Sequence, residues 1–285
     1  MQSKKLPVVM IPALNCDERL FTTQIKALQE LGHEVLVIDI TKAETIQQLA
    51  KDINAQVDAK FGAGSEFHVA GLSMGGYTIL EMLKQEQESG VKRIKKVALM
   101  NTNAHADDEK MIKKRTNRIG DLLNHGLKAL KEAAEELWPS MVKKGRETNT
   151  ELTKTYNDMV NVTGVEGLKN ELKQVMSRSD YLAEGVVAKI DNEVLIIAGM
   201  DDQRSDVKVH KDILRAINKN KEGPATLVVL NDCGHFSTME QPGETARLLT
   251  DFFSKEKLQG VNYPTYNSCR FNVYRDHGHT GGMAL

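Results

Sequence analysis

The segment GLSMGG (71–76) places Ser73 between two glycines in the pattern G-x-S-x-G. This pattern is typical of a sharp turn between a strand and a helix, where the serine hydroxyl projects above a sheet and can act as a nucleophile. Such a short pattern occurs often by chance, so its flanks decide its meaning. An apolar run (66–71) precedes the serine and a helical pattern begins at about Met74, which are the flanks that the turn requires. The segment therefore predicts a nucleophilic serine at the start of a helix.

A glycine-rich turn after a strand could instead bind phosphate. A Walker loop needs a Gly-Lys-Ser/Thr ending, and a dinucleotide-binding turn needs G-x-G-x-x-G. Neither pattern is present in 71–76. A nucleophile is therefore favoured over a phosphate-binding loop.

A serine hydroxyl is a weak nucleophile without an adjacent base, so a histidine must reach it. His235 follows the apolar run 225–231 after a short turn. We expect it at the carboxyl edge of the sheet, on the same side as Ser73. His33 and His68 begin predicted strands and are expected at the opposite edge. His235 is therefore the predicted base.

The carboxylate that orients this base should follow another strand at the same edge. The run 193–199 ends in Gly-Met-Asp-Asp, which offers Asp201 and Asp202. The residues alone do not choose between them, and Asp232 lies too close to His235 in the chain for a good approach. An acid at 201 or 202 gives the order Ser, Asp, His, which is the order expected for a serine that follows such a turn.

The runs that flank these residues alternate with helical patterns. Short runs rich in Val and Ile suit strands that are buried on both faces of a parallel sheet. The predicted strands are LPVVMIPA (6–13), HEVLVIDI (33–40), EFHVAG (66–71), KKVALMN (95–101), EVLIIAG (193–199) and ATLVVLN (225–231). The helical patterns between or after them run from Phe21 to Leu31, from Ile46 to Val57, from about Met74 to Glu88 with Gly90 as a stop, and from Thr245 to Lys257. This rhythm predicts βαβ units and an α/β fold with a mostly parallel sheet.

The strand pattern is interrupted between about residues 104 and 189. That stretch holds polar amphipathic helices, such as GLKALKEAAEELW (126–138), and we interpret it as a helical lid inserted over the carboxyl edge of the sheet. The predicted organisation is a core of 1–103 and 190–259, the lid, and a C-terminal extension (260–285) without sustained periodicity.

The composition indicates an ordinary soluble globular chain. It has 285 residues, 38 basic and 39 acidic, and a net charge of −1, which gives no general attraction to nucleic acid or an anionic membrane. The odd number of cysteines (three) favours a reducing compartment, and the apolar run at 6–14 reads as a buried strand rather than a signal peptide. We therefore expect a cytoplasmic protein with no metal or organic cofactor. The basic stretch 113–115 could attract anionic substrates, but the acidic residues around it favour a solvated helix face.

These segments together resemble the α/β-hydrolase superfamily, and in particular its compact bacterial esterase-like serine hydrolases. GLSMGG resembles the nucleophile elbow, LIIAGMDD the acid-bearing strand and turn, and CGHF the histidine loop. The similarity extends over residues 6–257 and includes MIPALNCDERLF, which resembles the oxyanion loop. In that family the acid lies three residues after the glycine that closes its strand. The resemblance therefore implies the triad Ser73, Asp202 and His235.

Acyl transfer also needs two hydrogen-bond donors aimed at the developing oxyanion. One is expected to be the backbone amide of Met74, directly after the nucleophile. By position in the resembling loop, the other is the amide of Leu14. Many relatives have His-Gly before the second donor, whereas this chain has Pro12-Ala13. If the loop needs a positive φ at Ala13, the alanine costs stability or reshapes the oxyanion hole.

The resemblance implies hydrolysis of a small carboxylic ester or thioester through an acyl-serine intermediate. The same triad would also serve C–C bond hydrolysis, lactone hydrolysis, perhydrolysis or acyl transfer. A non-catalytic ligand-binding protein of the same fold is a further alternative, because a fold alone does not establish a function.

Overall fold

Six parallel strands and one antiparallel strand form a single sheet in the computed structural model, which describes residues 5–219, 225–254 and 271–274. The strands are β1 (Val8–Ile11), β2 (Val35–Val37), β3 (Phe67–Leu72), β4 (Ile94–Met100), β5 (Glu193–Gly199), β6 (Ala225–Leu230) and β7 (Phe271–Tyr274). Their order across the sheet is β2-β1-β3-β4-β5-β6-β7, and β7 runs antiparallel to β6.

The helices lie on both faces of this sheet and above its carboxyl edge. They are α1 (Thr22–Glu30), α2 (Ile46–Phe61), α3 (Met74–Ser89), α4 (Glu109–His125), α5 (Leu127–Leu137), α6 (Thr150–Met176), α7 (Val207–Asn218), α8 (Ser237–Glu240) and α9 (Pro242–Ser254). Side chains alternate between the two faces of each strand. In β1, Val8 and Met10 belong to the core that includes α1 and α9, whereas Val9 and Ile11 belong to the core that includes α2, α3 and α7.

The predicted α/β fold with a mostly parallel sheet is confirmed. Each of the six predicted strands has a counterpart in β1 to β6, and each boundary differs by a few residues at most. The helix predicted from Met74 ends at Ser89, where Gly90 adopts a left-handed conformation with φ 73°. The strands could be predicted from the sequence because central strands of a parallel sheet are buried on both faces and therefore appear as continuous apolar runs.

The C-terminal extension contributes a strand that the sequence pattern did not predict. Phe271–Tyr274 forms β7, which pairs with β6 in the register Leu230↔Phe271 and Val228↔Val273. Four residues are too few to establish a strand period. The remainder of 260–285 lies outside the described residues.

The helices α4, α5 and α6 occupy the stretch between β4 and β5 that was predicted as a lid. Every residue of this stretch is described, and it contains no strand. An aromatic cluster joins it to the loop after β6: the ring of Tyr156 on α6 lies 5.1 Å from that of Trp138 and 5.9 Å from that of Phe236. The amide of Phe236 also donates to the carbonyl of Met141 at 2.8 Å. The helical segment is thus fixed to the residue that follows His235.

Within the described ranges, no helix combines the length and the apolar character that crossing a membrane requires.

Replacing Phe236 by alanine should reduce the free energy of unfolding by about 3–5 kcal/mol, because it removes a fully buried aromatic ring between the segment and the core. Urea unfolding followed by circular dichroism measures this loss. Leu127→Ala is the control, since Leu127 is 66% exposed and its loss should change stability little. Equal effects of the two substitutions would contradict the proposed anchoring.

Candidate active site

Ser73 occupies a strained turn between β3 and α3. Its backbone has φ 54° and ψ −110°, a region that residues with a side chain rarely adopt. The glycines on either side permit this turn. A Cβ on Gly71 would lie 2.5 Å from the backbone of Gly75, and a Cβ on Gly75 would lie 2.1 Å from the carbonyl oxygen of Ile11. The turn therefore requires glycine at both positions, as the sequence pattern predicts.

The strand next to β3 holds the serine backbone in place. The amide of Ser73 donates to the carbonyl of Met100 at 2.8 Å. The Ser73 carbonyl accepts from the Thr102 hydroxyl at 2.8 Å and from the Gly76 amide at 2.9 Å. The main-chain amide and carbonyl of the strained residue are thus both satisfied, which fixes the direction of its side chain.

The imidazole of His235 pairs with the carboxylate of Asp202. Nδ1 lies 2.9 Å from Oδ2 and 3.0 Å from Oδ1, and both side chains are buried. Asp201, the other candidate acid, is exposed. Asp232 is also exposed and forms ion pairs with Lys143 and Arg146. Among the three aspartates considered from the sequence, only Asp202 contacts the imidazole in the described structure.

Several donors stabilise Asp202 as an anion. Burial by itself would raise the pKa of Asp202, but the charge of His235 and hydrogen bonds to the carboxylate outweigh it and hold the pKa well below its ordinary value. Besides His235, the donors include the Asn101 side chain at 3.0 Å, the Arg204 amide at 2.7 Å and the Ser205 hydroxyl at 2.9 Å. The aspartate is therefore ready to stabilise a positive charge on the imidazole.

A second buried histidine supports the end of β4. The Thr102 amide donates to Nε2 of His210 at 3.0 Å, and Nδ1 of His210 lies 2.8 Å from the carbonyl oxygen of Asp206. This pattern requires the neutral tautomer with the proton on Nδ1. Burial lowers the pKa of His210, which agrees with a neutral ring. No pattern in the sequence indicates this role, because it depends on a contact between residues 108 positions apart.

In the loop after β1, the residue with a left-handed backbone conformation is not Ala13. The positive φ belongs to Asn15 (63°), and Ala13 is not among the residues with positive φ. Asparagine tolerates this conformation better than most residues, so Pro12-Ala13 needs no strained alanine. The amides of Leu14 and Met74 have no acceptor within the described part of the chain, and both residues line the same cavity.

A buried carboxyl group holds this loop from the opposite side. Oε2 of Glu171 on α6 accepts from the Asn15 amide at 2.7 Å. The Glu171 side chain is fully buried, and this burial raises its pKa from 4.5 to about 8, although the bond from Asn15 opposes the shift. Glu171 therefore keeps its proton at neutral pH. In the sequence, Glu171 is indistinguishable from any other charged position on a long helix, so its role could not be predicted.

The cavity above Ser73 contains about 980 Å³ of empty space, including the part that opens to solvent. Ser73 and His235 both line it, as do Leu14 and Met74. Much of the opposite wall comes from apolar residues of the segment between β4 and β5, namely Met111, Leu137, Met141, Leu168, Leu172 and Val175. No group of His, Cys, Asp and Glu suited to holding a metal ion occurs among the described residues. The cavity therefore brings Ser73 and His235 together beside an apolar wall.

A family model described as the alpha/beta hydrolase fold matches residues 7–242. The chain belongs to the α/β-hydrolase family. Membership of this family, together with the elbow and the buried pair, makes it a hydrolase enzyme. No curated protein sequence matches the chain significantly.

Solved structures agree on the fold of this α/β-hydrolase. A thermophilic esterase from Thermogutta terrifontis, solved with malate bound, superposes with a TM-score of 0.76 at 19% identity, over 88% of this chain and 90% of its own. The enol-lactonase from Burkholderia xenovorans LB400 gives 0.74 at 20% identity, over 90% and 94%. A bromoperoxidase from Bacillus anthracis gives 0.71 at 16% identity, over 88% and 92%. At such identities the similarity shows the fold and leaves the reaction open.

Gly75→Ala should lower kcat/KM by about 100-fold or more, because its Cβ would force the elbow away from Ile11 and misplace the serine hydroxyl. Gly120→Ala on α4 is the matched control, since no atom lies within 4 Å of its added Cβ and alanine favours a helix. Steady-state kinetics on an ester, with thermal unfolding of both variants, measures the effect. Full activity of a folded Gly75→Ala protein would contradict this account of the elbow.

The melting temperature of Glu171→Gln should exceed that of wild type, and the difference should grow as the pH rises from 5 to 8. In wild type the unfolded chain loses this proton near pH 4.5 while the folded chain keeps it until about pH 8, so the group lowers stability as the pH rises through that window. Glutamine has no such proton and can still accept from Asn15.

Differential scanning calorimetry between pH 5 and 9 measures this difference. Glu166→Gln on the same helix is the control, because Glu166 is exposed and pairs with Lys169. Parallel pH profiles of wild type and Glu171→Gln would show that Glu171 is ionised in the folded enzyme.

Proposed function

We propose that this hydrolase cleaves small carboxylic esters or thioesters through an acyl-serine intermediate on Ser73. The observation that carries the proposal is the buried Asp202–His235 pair, whose imidazole lines the same cavity as the strained serine. A serine, a base and a carboxylate that orients the base are the parts that nucleophilic acyl transfer needs.

In the proposed reaction, Oγ of Ser73 attacks the carbonyl carbon of the substrate while Nε2 of His235 takes the hydroxyl proton. Collapse of the tetrahedral intermediate expels the alcohol or thiol, which receives that proton from His235. Water then attacks the acyl-serine while His235 takes a proton from it, and the second tetrahedral intermediate collapses to release the acid as His235 returns that proton to Oγ of Ser73. Throughout, Asp202 stabilises the imidazolium and remains unprotonated.

The oxyanion of the tetrahedral intermediate would be bound by the amides of Leu14 and Met74. The Met74 amide is the first of α3, where the helix dipole favours negative charge. The bond between Glu171 and Asn15 supports the Leu14 side, because it holds the loop immediately after the proposed donor. Preorganised donors of this kind contribute about 3–4 kcal/mol each to transition-state stabilisation.

A lactone is an internal ester, so its hydrolysis would use the same steps. The enol-lactonase from Burkholderia xenovorans LB400 has this fold, which keeps lactones within the proposed substrate class.

Among the three cysteines of the chain, Cys16 and Cys233 are buried free thiols. These reduced thiols support the further proposal that the enzyme works in a reducing, cytoplasmic compartment.

Ser73→Ala should abolish the burst of p-nitrophenol from p-nitrophenyl butyrate and lower kcat by about 10⁴–10⁶-fold, because no acyl-enzyme can form. Asp202→Asn should lower kcat by about 10⁴-fold, because an asparagine at this position no longer favours the tautomer of His235 that catalysis requires or stabilises its positive charge. Stopped-flow absorbance measures both effects.

The matched controls are Ser89→Ala at the end of α3 and Asp201→Asn beside the acid, and both should retain wild-type turnover. Full esterase activity in Ser73→Ala would eliminate the mechanism. Equal losses in Asp201→Asn and Asp202→Asn would remove the assignment of the acid.

A further inference from the structure

The wall of the active-site cavity carries an excess of positive charge. Among the described residues that line it, four are basic, namely Lys114, Arg115, Arg118 and Arg204, and one, Glu136, is acidic. The whole chain is nearly neutral, with a net charge of −1, so this excess is a local feature. The sequence favoured a solvated helix face for 113–115. Lys114 is indeed largely exposed, but both Lys114 and Arg115 also line the cavity.

The carboxylates near the α4 cations are each shared between two basic groups. Glu136 forms ion pairs with Lys114, at 2.9 Å, and with Arg118. Asp107 pairs with Arg115 at 2.5 Å and with Arg178 at 2.8 Å. Each carboxylate therefore faces two basic groups and balances the charge of only one of them. The ion pairs of α4 thus leave its wall of the cavity with a positive charge.

Arg204 is the third source of positive charge and lies next to the proposed acid. Its backbone amide donates to Asp202 at 2.7 Å, and Arg204 is one of the residues that line the cavity that contains His235. Within the described part of the chain, the guanidinium makes no hydrogen bond and no ion pair. The Asp202 carboxylate is already bound by the imidazole and by other donors, and Glu171 is protonated at neutral pH, so neither acid forms an ion pair with the Arg204 guanidinium in the described structure.

We propose that the natural substrate is an ester that carries a carboxylate, and that Arg204 binds this carboxylate at the mouth of the cavity. The proposal rests on the proposed esterase function and specifies its substrate class. The guanidinium presents a planar pair of donors that matches a carboxylate in a bidentate arrangement. The α4 clusters add an attractive field that would draw an anion into the cavity.

Carboxylate is favoured over phosphate by the kind of donors available. Phosphate sites commonly use backbone amides at a helix N-terminus. Here the N-terminus of α3 faces Ser73 and is assigned to the oxyanion of the reaction. The anion must therefore be bound by side chains, alongside an apolar wall that suits a short aliphatic chain.

Two matched substrate pairs test the proposal. On the acyl side, p-nitrophenyl hydrogen glutarate and p-nitrophenyl pentanoate have the same chain length and differ in a terminal carboxylate or methyl group. On the alcohol side, p-acetoxybenzoate is compared with its neutral methyl ester. In at least one pair, the anionic member should show a kcat/KM about tenfold higher at low salt, and this preference should shrink as salt screens the charges.

Arg204→Gln should lower, by about tenfold, the ratio of kcat/KM for the preferred anionic ester to kcat/KM for its neutral partner. Arg204→Lys should retain part of the preference, because it keeps the charge but loses the bidentate geometry. Arg215→Gln on α7 is the control, since Arg215 is exposed and lies outside the cavity lining. Glutarate should inhibit hydrolysis of the neutral ester more strongly than inorganic phosphate does, and the reverse order would overturn the choice of carboxylate.

Failure of this inference can be distinguished from failure of the proposed function. Equal kcat/KM values within both pairs, with hydrolysis that still depends on Ser73, would refute the carboxylate site and leave the esterase intact. If none of these esters acylates Ser73, calorimetric binding of glutarate decides. Binding that Arg204→Gln abolishes supports the anion site, and absence of binding to wild type overturns it.

Discussion

The backbone strain at Ser73 is the constraint on which the rest of the site depends. A serine with positive φ persists only where the surrounding structure leaves it no alternative. Here β1 approaches so closely that residue 75 has no room for a side chain, β4 accepts from the serine amide through Met100, and Thr102, in the turn after β4, donates to the serine carbonyl. The proposed nucleophile is therefore held by three adjacent strands and one helix rather than by a flexible loop.

The same sheet edge assembles the groups around the nucleophile. Parallel strands end on one side, so the turns after β1, β3, β4, β5 and β6 converge there. The turn after β4 has a central role: Asn101 donates both to Asp202 and to the Gly234 carbonyl beside His235, while Thr102 connects Ser73 with His210. Because one short turn binds Asp202, the backbone of Ser73 and the residue beside His235, a shift of β4 would disturb all three together.

The strands and the turn at Ser73 could be predicted from the sequence because they depend on local patterns. Buried parallel strands read as apolar runs, and the elbow shows its glycines directly. The choice between Asp201 and Asp202 needed a family resemblance, because two adjacent carboxylates in a turn differ only in direction. Asn101, Glu171 and His210 were missed because their roles arise from contacts between residues about 100 or more positions apart. The sequence analysis raised an attraction of anionic substrates by 113–115 but favoured a solvated helix face, because the sequence shows charges on a helix but not the surface that the helix faces.

The pairing of β7 with β6 has a consequence for how the chain is made. Without β7, β6 would present a row of unpaired amides and carbonyls, which is the kind of sheet edge that promotes association between molecules. The strand that covers this edge begins 41 residues after β6 ends, since Leu230 pairs with Phe271. During synthesis on the ribosome, the proposed nucleophile, acid and base all emerge before this edge can be covered. The nascent chain therefore passes through a stage in which its proposed active-site residues are present but the edge of β6 is still unpaired and prone to intermolecular association.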